Sequence, residues 1–76
     1  PNPLQSYTSI GFNLPEASDI ELNIYDVTGN VVKTIKGTYA KGTNKVDIEW
    51  TNTKGVYYYM LKAGDNVATK KMIVIE

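Results

Sequence analysis

The sequence predicts an all-β fold, a small antiparallel sandwich of six to seven strands. Three observations carry that prediction. Apolar residues recur with period two along most of the chain, and turn residues interrupt them about every 8–12 positions. No window carries the i, i+3, i+4, i+7 stripe of an amphipathic helix. A length of 76 residues allows one domain, 1–76, and excludes a two-lobed enzyme or a barrel of βα units. Hydrophobic residues at 42% and charged residues at 21% are a globular balance, not a disordered one.

The first strand is expected over Thr8–Leu14, where Ile10, Phe12 and Leu14 alternate with Ser9, Gly11 and Asn13. Leu4–Tyr7 supplies a seventh strand if it pairs separately. Pro15 to Asp19 is a turn, since proline cannot donate to a ladder. The second strand runs over Ile20–Asp26, with Ile20, Leu22 and Ile24 on one face. Thr28-Gly29-Asn30 reads as a hairpin turn, Gly29 tolerating positive φ. In Val31–Lys36, Val32 and Ile35 are out of phase for simple alternation, which predicts a β-bulge or a twisted edge. Gly37 to Asn44, with Gly42 inside it, is expected as a loop. Lys45–Trp50 alternates without a fault, Val46, Ile48 and Trp50 inward. Thr51 to Gly55 breaks the pattern, and the fifth strand, Val56–Ala63, is rich in β-branched and aromatic residues. Gly64-Asp65-Asn66 is a short hairpin connection, and Val67–Ile75 is the last strand.

The expected core is Phe12, Leu22, Ile24, Ile48, Trp50, Tyr57, Tyr59 and Leu61. Tyr57 and Tyr59 share one strand face and Tyr58 takes the other, so Tyr58 is the ring expected outside. A rival reading exposes Tyr57, Tyr59 and Trp50 as a sugar-stacking platform. The core reading gains from the large area that such rings bury in a small sandwich.

Charge and composition exclude several chemistries. Eight lysines balance eight acidic residues, and the chain has no Arg, His or Cys. Lacking His, it lacks the usual general base and the commonest transition-metal ligand. Lacking Cys, it has no thiolate nucleophile and no disulfide. Lacking Arg and net charge, it offers little to nucleic acid. The longest uninterrupted aliphatic run, Met72 to Ile75, is far below the roughly 20 residues of a spanning helix, so no membrane insertion is expected. Pro1-Asn2-Pro3-Leu4 does not read as a signal peptide, which places any export signal upstream.

Asp47 and Glu49 lie two apart on one strand face, a spacing that could serve a metal or a glycosidic bond, but Lys45 shares that face and the alternation marks it as solvated. Glu16, Asp19 and Glu21 lack the spacing of a calcium loop, and each glycine stands alone, so no phosphate loop exists. No catalytic residue, cofactor site or metal site is expected, calcium being the one ion that carboxylates and carbonyls alone would hold. Lys70-Lys71 reads as a guard on an edge strand. These residues describe a β module that is recognised or acts as a spacer, without choosing between the two.

Motif order adds to this reading. Pro1-Asn2-Pro3 is followed by Ile10-Gly11-Phe12-Asn13-Leu14-Pro15-Glu16-Ala17, then Leu22-Asn23-Ile24-Tyr25-Asp26-Val27-Thr28-Gly29. Next come Ala40-Lys41-Gly42-Thr43, Trp50, Gly55-Val56-Tyr57-Tyr58-Tyr59-Met60-Leu61, and Lys70-Lys71-Met72-Ile73-Val74. The whole chain resembles the C-terminal sorting domain, type A, of the type IX, or Por, secretion system of Gram-negative bacteria.

That resemblance implies an immunoglobulin-like β-sandwich that addresses a fused N-terminal cargo to the outer membrane. The implied partners are the outer-membrane translocon, its shuttle proteins and a sortase-like signal peptidase. The implied route runs through the periplasm to the cell surface or the medium, with cleavage upstream of Pro1. Lys70 and Lys71 match the family's basic pair at the last strand and become the expected translocon contacts. Gly29, Gly42, Gly55 and Gly64 become turn positions. Family members often carry Arg or another charge just after the hairpin glycine, where this chain has Asn30-Val31. Two rivals are an immunoglobulin- or fibronectin-like spacer, including the module of flagellar hook-capping proteins, and a carbohydrate-binding module.

Overall fold

Strands form where branched and aromatic side chains alternate with polar ones, because each pleat then has one face to bury and one to hydrate. The computed structural model describes residues 6–74 and contains six strands there: β1 (Ser6–Leu14), β2 (Ser18–Tyr25), β3 (Val31–Tyr39), β4 (Gly42–Trp50), β5 (Gly55–Ala63) and β6 (Asn66–Val74). They make two sheets, a pair β1-β4 and a four-stranded sheet ordered β3-β2-β5-β6, with every neighbouring pair antiparallel. The described residues contain no helix, so the all-β sandwich expected from alternation is what the chain adopts.

The expected irregularity in the third strand is a bulge. Ile24 pairs with Lys33 and Tyr25 with Val31, so Val32 is the extra residue on β3. One inserted residue shifts the phase by one position, which lets Val32 and Ile35 both pack against the core despite their spacing of three.

Several boundaries differ from expectation: β2 begins at Ser18, inside the expected Pro15–Asp19 turn, and ends at Tyr25, and β5 and β6 each begin one residue early, at Gly55 and Asn66. Ser6 and Tyr7 continue β1, opposite Trp50 and Glu49, and do not start a separate strand. Leu4, Gln5 and Ile75 lie outside the described residues. The loop expected over Gly37–Asn44 is instead the end of β3, a two-residue connection at Ala40-Lys41, and the start of β4. Gly37 suggested a break, but it sits in the strand with the Tyr39 ring lying over it, so that an added Cβ would be 3.1 Å from Tyr39 Cε1. An aromatic ring covering a strand glycine supplies packing that the glycine lacks. Gly42, at φ 101°, turns the chain from the four-stranded sheet to the pair, and the Asn44 amide donates to the Ala40 carbonyl at 2.8 Å across that corner.

The core lies between the sheets. Ile10, Leu14, Ile20, Leu22, Ile24, Ile48, Trp50 and Tyr57 are buried, with Leu22 and Ile24 of the central β2 fully enclosed. Each such aliphatic side chain contributes about 1.5–3 kcal/mol through burial. Phe12, Tyr59 and Leu61, also expected in the core, are only partly buried against it. Two edge-to-face ring pairs join the layers: Trp50 with Tyr57 at 4.8 Å and Phe12 with Tyr39 at 5.3 Å between centroids. Tyr58 points outward and is 40% exposed.

Candidate recognition surface

Trp50 and Tyr57 are held at one end of the sandwich by a single carbonyl. Thr53 O accepts from the Tyr57 hydroxyl at 2.6 Å and from the Trp50 indole N–H at 3.2 Å. Both rings are thereby committed to the core, and the sugar-stacking platform that would need them outside is not built.

The hairpin joining β2 to β3 is organised by Asp26. Its Oδ1 accepts from the backbone N–H of Thr28 and of Asn30, at 2.9 and 3.0 Å, and from the Thr28 hydroxyl at 2.7 Å. The Thr28 hydroxyl and the other donors facing it hold the Asp26 carboxyl below the usual aspartate range. Gly29 occupies the turn at φ 91°, where a side chain would be strained. The sequence reading named Thr28, Gly29 and Asn30 but missed Asp26; an Asp two residues before Thr and four before Asn is the pattern of a carboxylate capping its own turn. Asn30 spends its amide on Thr28 Oγ1 at 2.9 Å. Gly55 and Gly64, at φ 151° and 60°, sit at the start of β5 and in the β5–β6 turn.

The outer face of the four-stranded sheet is laced by side-chain hydrogen bonds. Thr34 donates to Asn23, Thr38 to Asp19, and Asn23 to Glu21 at 2.8 Å. The Asn23 amide, with Lys36 and Lys62 nearby, holds the Glu21 carboxyl below the usual glutamate range. On the outer face of the pair β1-β4, Asp47 accepts from the Ser9 hydroxyl at 2.6 Å and meets Lys45 at 3.7 Å. That is the solvated face expected for Asp47 and Glu49. Among the described residues, no three Asp, Glu, His or Cys side chains converge on a point that would hold a metal.

β6 is the edge of its sheet, and it separates the two lysines. Lys71 is paired with Tyr58 and shares its outward direction; Lys70 is paired with Tyr59 and points to the side the core occupies. Yet Lys70 is exposed, as is Ala68 one pleat away, whereas Met72 and Val74 further along the same face of β6 are partly buried against the core, so cover is lost at the Ala68 end of the strand. The result is a groove whose walls are Gly11 and Phe12 of β1 and Ala68 and Lys70 of β6, with Leu61 beneath. It continues into a wider depression of about 310 Å³ toward Pro15 and Val67. The sequence treated Lys70-Lys71 as one basic pair, whereas adjacent residues of a strand necessarily face opposite ways.

An edge strand with guarded charge and a sheet face left partly uncovered make a surface suited to being bound. Comparison with protein families matches residues 1–75 to the secretion system C-terminal sorting domain, the Por secretion tail. The chain belongs to that family. Neither the curated proteins nor the solved structures give a significant match. The sorting domain is the C-terminal signal of type IX secretion, which directs export across the outer membrane. Its own role is that of a signal and not of a catalyst.

Proposed function

We propose that residues 1–76 form one folded address that carries an N-terminal cargo through the outer-membrane translocon to the cell surface or the medium. The observation that supports this most is the family match along nearly the whole chain, and the folded sandwich gives that match a surface to present. The translocon and its shuttle proteins read the folded domain near β6, which has no strand beyond it among the described residues and carries two lysines on opposite faces. A sortase-like peptidase then cuts upstream of Pro1, and the cargo is anchored to lipopolysaccharide or released.

The experiment is a fusion. A periplasmic reporter carrying residues 1–76 at its C-terminus, expressed in a host with this secretion system, is expected on the surface or in the medium. Its mass there reports removal or retention of the domain. A reporter that remains periplasmic while the host exports its own cargo overturns the proposal.

A further inference from the structure

The two layers are unequal. Strands within a sheet are spaced about 4.8 Å apart, so a two-stranded layer over a four-stranded one leaves roughly 10 Å of sheet uncovered. Exposure shows where part of that deficit falls. Inward residues of β2 are buried, whereas Ala68 and Lys70 on the core side of β6 are exposed. Beside them the Gly11–Asn13 stretch of β1 pairs only with β4 among the described residues, so its other edge is open to a further strand there. A slot with an open strand edge on one wall and an uncovered apolar floor fits the width of an extended chain.

We propose that this groove is the docking site for one extended strand of the export machinery. The strand hydrogen-bonds along the open edge of β1 at Gly11–Asn13, lays alternate apolar side chains over Ala68 and Leu61, and brings a carboxylate to Lys70. The proposal rests on the sorting function above and names the site and chemistry of its recognition. Strand addition uses main-chain bonds for affinity and alternate side chains for specificity, and both are available here. Charge fixes the partner's polarity. Lys70 makes no ion pair among the described residues, and it stands on the face where every second partner residue would point. A two-fold contact between copies through the same groove would bring two Lys70 side chains together, so charge favours an acidic strand over a second copy.

The test compares the two faces of β6 in the cargo fusion. Lys70→Glu and Ala68→Trp alter the groove; Lys71→Glu and Thr69→Trp make the same changes on the outer face. Groove variants are expected to lower the exported fraction by about tenfold or more, and outer-face variants to stay within about twofold of the parent. Trypsin resistance of the fused domain reports folding, and Lys70→Ala replaces Lys70→Glu if the reversal unfolds it. Export of both groove variants at the parental level, or equal loss on both faces, overturns the groove while the parent's export upholds the sorting function. A parent that is not exported overturns both. A fusion that sediments as a dimer and becomes monomeric with Ala68→Trp assigns the groove to a second copy and also overturns the proposal.

Discussion

Removing one oxygen atom tests the clamp on the Thr53 carbonyl. In Tyr57→Phe the ring stays against Trp50, and only the hydroxyl that donates to Thr53 O at 2.6 Å is lost. A neutral intramolecular hydrogen bond contributes about 0.5–1.5 kcal/mol net, and more only when its removal strands the partner. Here the carbonyl keeps the Trp50 indole N–H at 3.2 Å. The Thr53 hydroxyl, 3.2 Å from Tyr57 Oη, belongs to an exposed residue and turns to water. The expected loss is therefore about 1 kcal/mol, in the middle of that range. Urea unfolding followed by the fluorescence of Trp50, the sole tryptophan, measures it. With a slope of about 1 kcal/mol/M for so small a domain, the midpoint falls by about 1 M. Tyr58→Phe, which removes an outward hydroxyl, is the matched control and should shift stability by less than about 0.5 kcal/mol. A Tyr57→Phe loss no larger than that control, or one above about 3 kcal/mol, refutes the shared-acceptor reasoning.

Two further outcomes follow from burial and from charge. Leu22→Ala empties a fully enclosed site on the central strand and should cost about 2–5 kcal/mol, a large part of the roughly 4–11 kcal/mol expected for the whole domain, as read by thermal or urea melts. The carboxyls of Asp26 and Glu21 are both held below their ordinary values of 3.8 and 4.5, so the unfolded chain binds protons more readily than the folded one. Their stabilisation is complete above those ordinary values and fades as pH falls through the lower folded-state ones. Asp26→Asn should remove part of that acid sensitivity, visible as a shallower dependence of the melting temperature on pH below about 4.

Most of this architecture was legible because period-two alternation is a local property. Val46, Ile48 and Trp50 announce β4 without help from the rest of the chain, and the phase slip at Val32 announces its bulge. The corner between β3 and β4 was not legible. Gly37 and Gly42 look alike in sequence, but one is a strand residue under a tyrosine ring and the other is the turn. Only the contact with Tyr39 and the φ angle tell them apart. Sheet membership was hidden for a deeper reason: alternation says which residues face a core, and nothing about how many strands cover them. Phe12, Tyr59 and Leu61 were expected in the core for that reason, and they are only partly buried. Lys70 belongs with them in direction, though its charge and position beside Lys71 made it look like surface.

Pairing order also governs the timing of folding. The β2–β3 and β5–β6 contacts close across short turns, but β1 waits for β4, as in the bond between Ser9 and Asp47 that spans 38 residues, and β2 waits for β5. Loop-closure entropy must be met before either long-range pairing contributes anything, which places such topologies in the millisecond-to-second range of folding times. During synthesis from the N-terminus, neither sheet can be completed until the chain has been made well past its middle. The β2–β3 hairpin can form early, and the sandwich locks only when β4 arrives to pair with β1 and β5, with β6 behind it, to pair with β2.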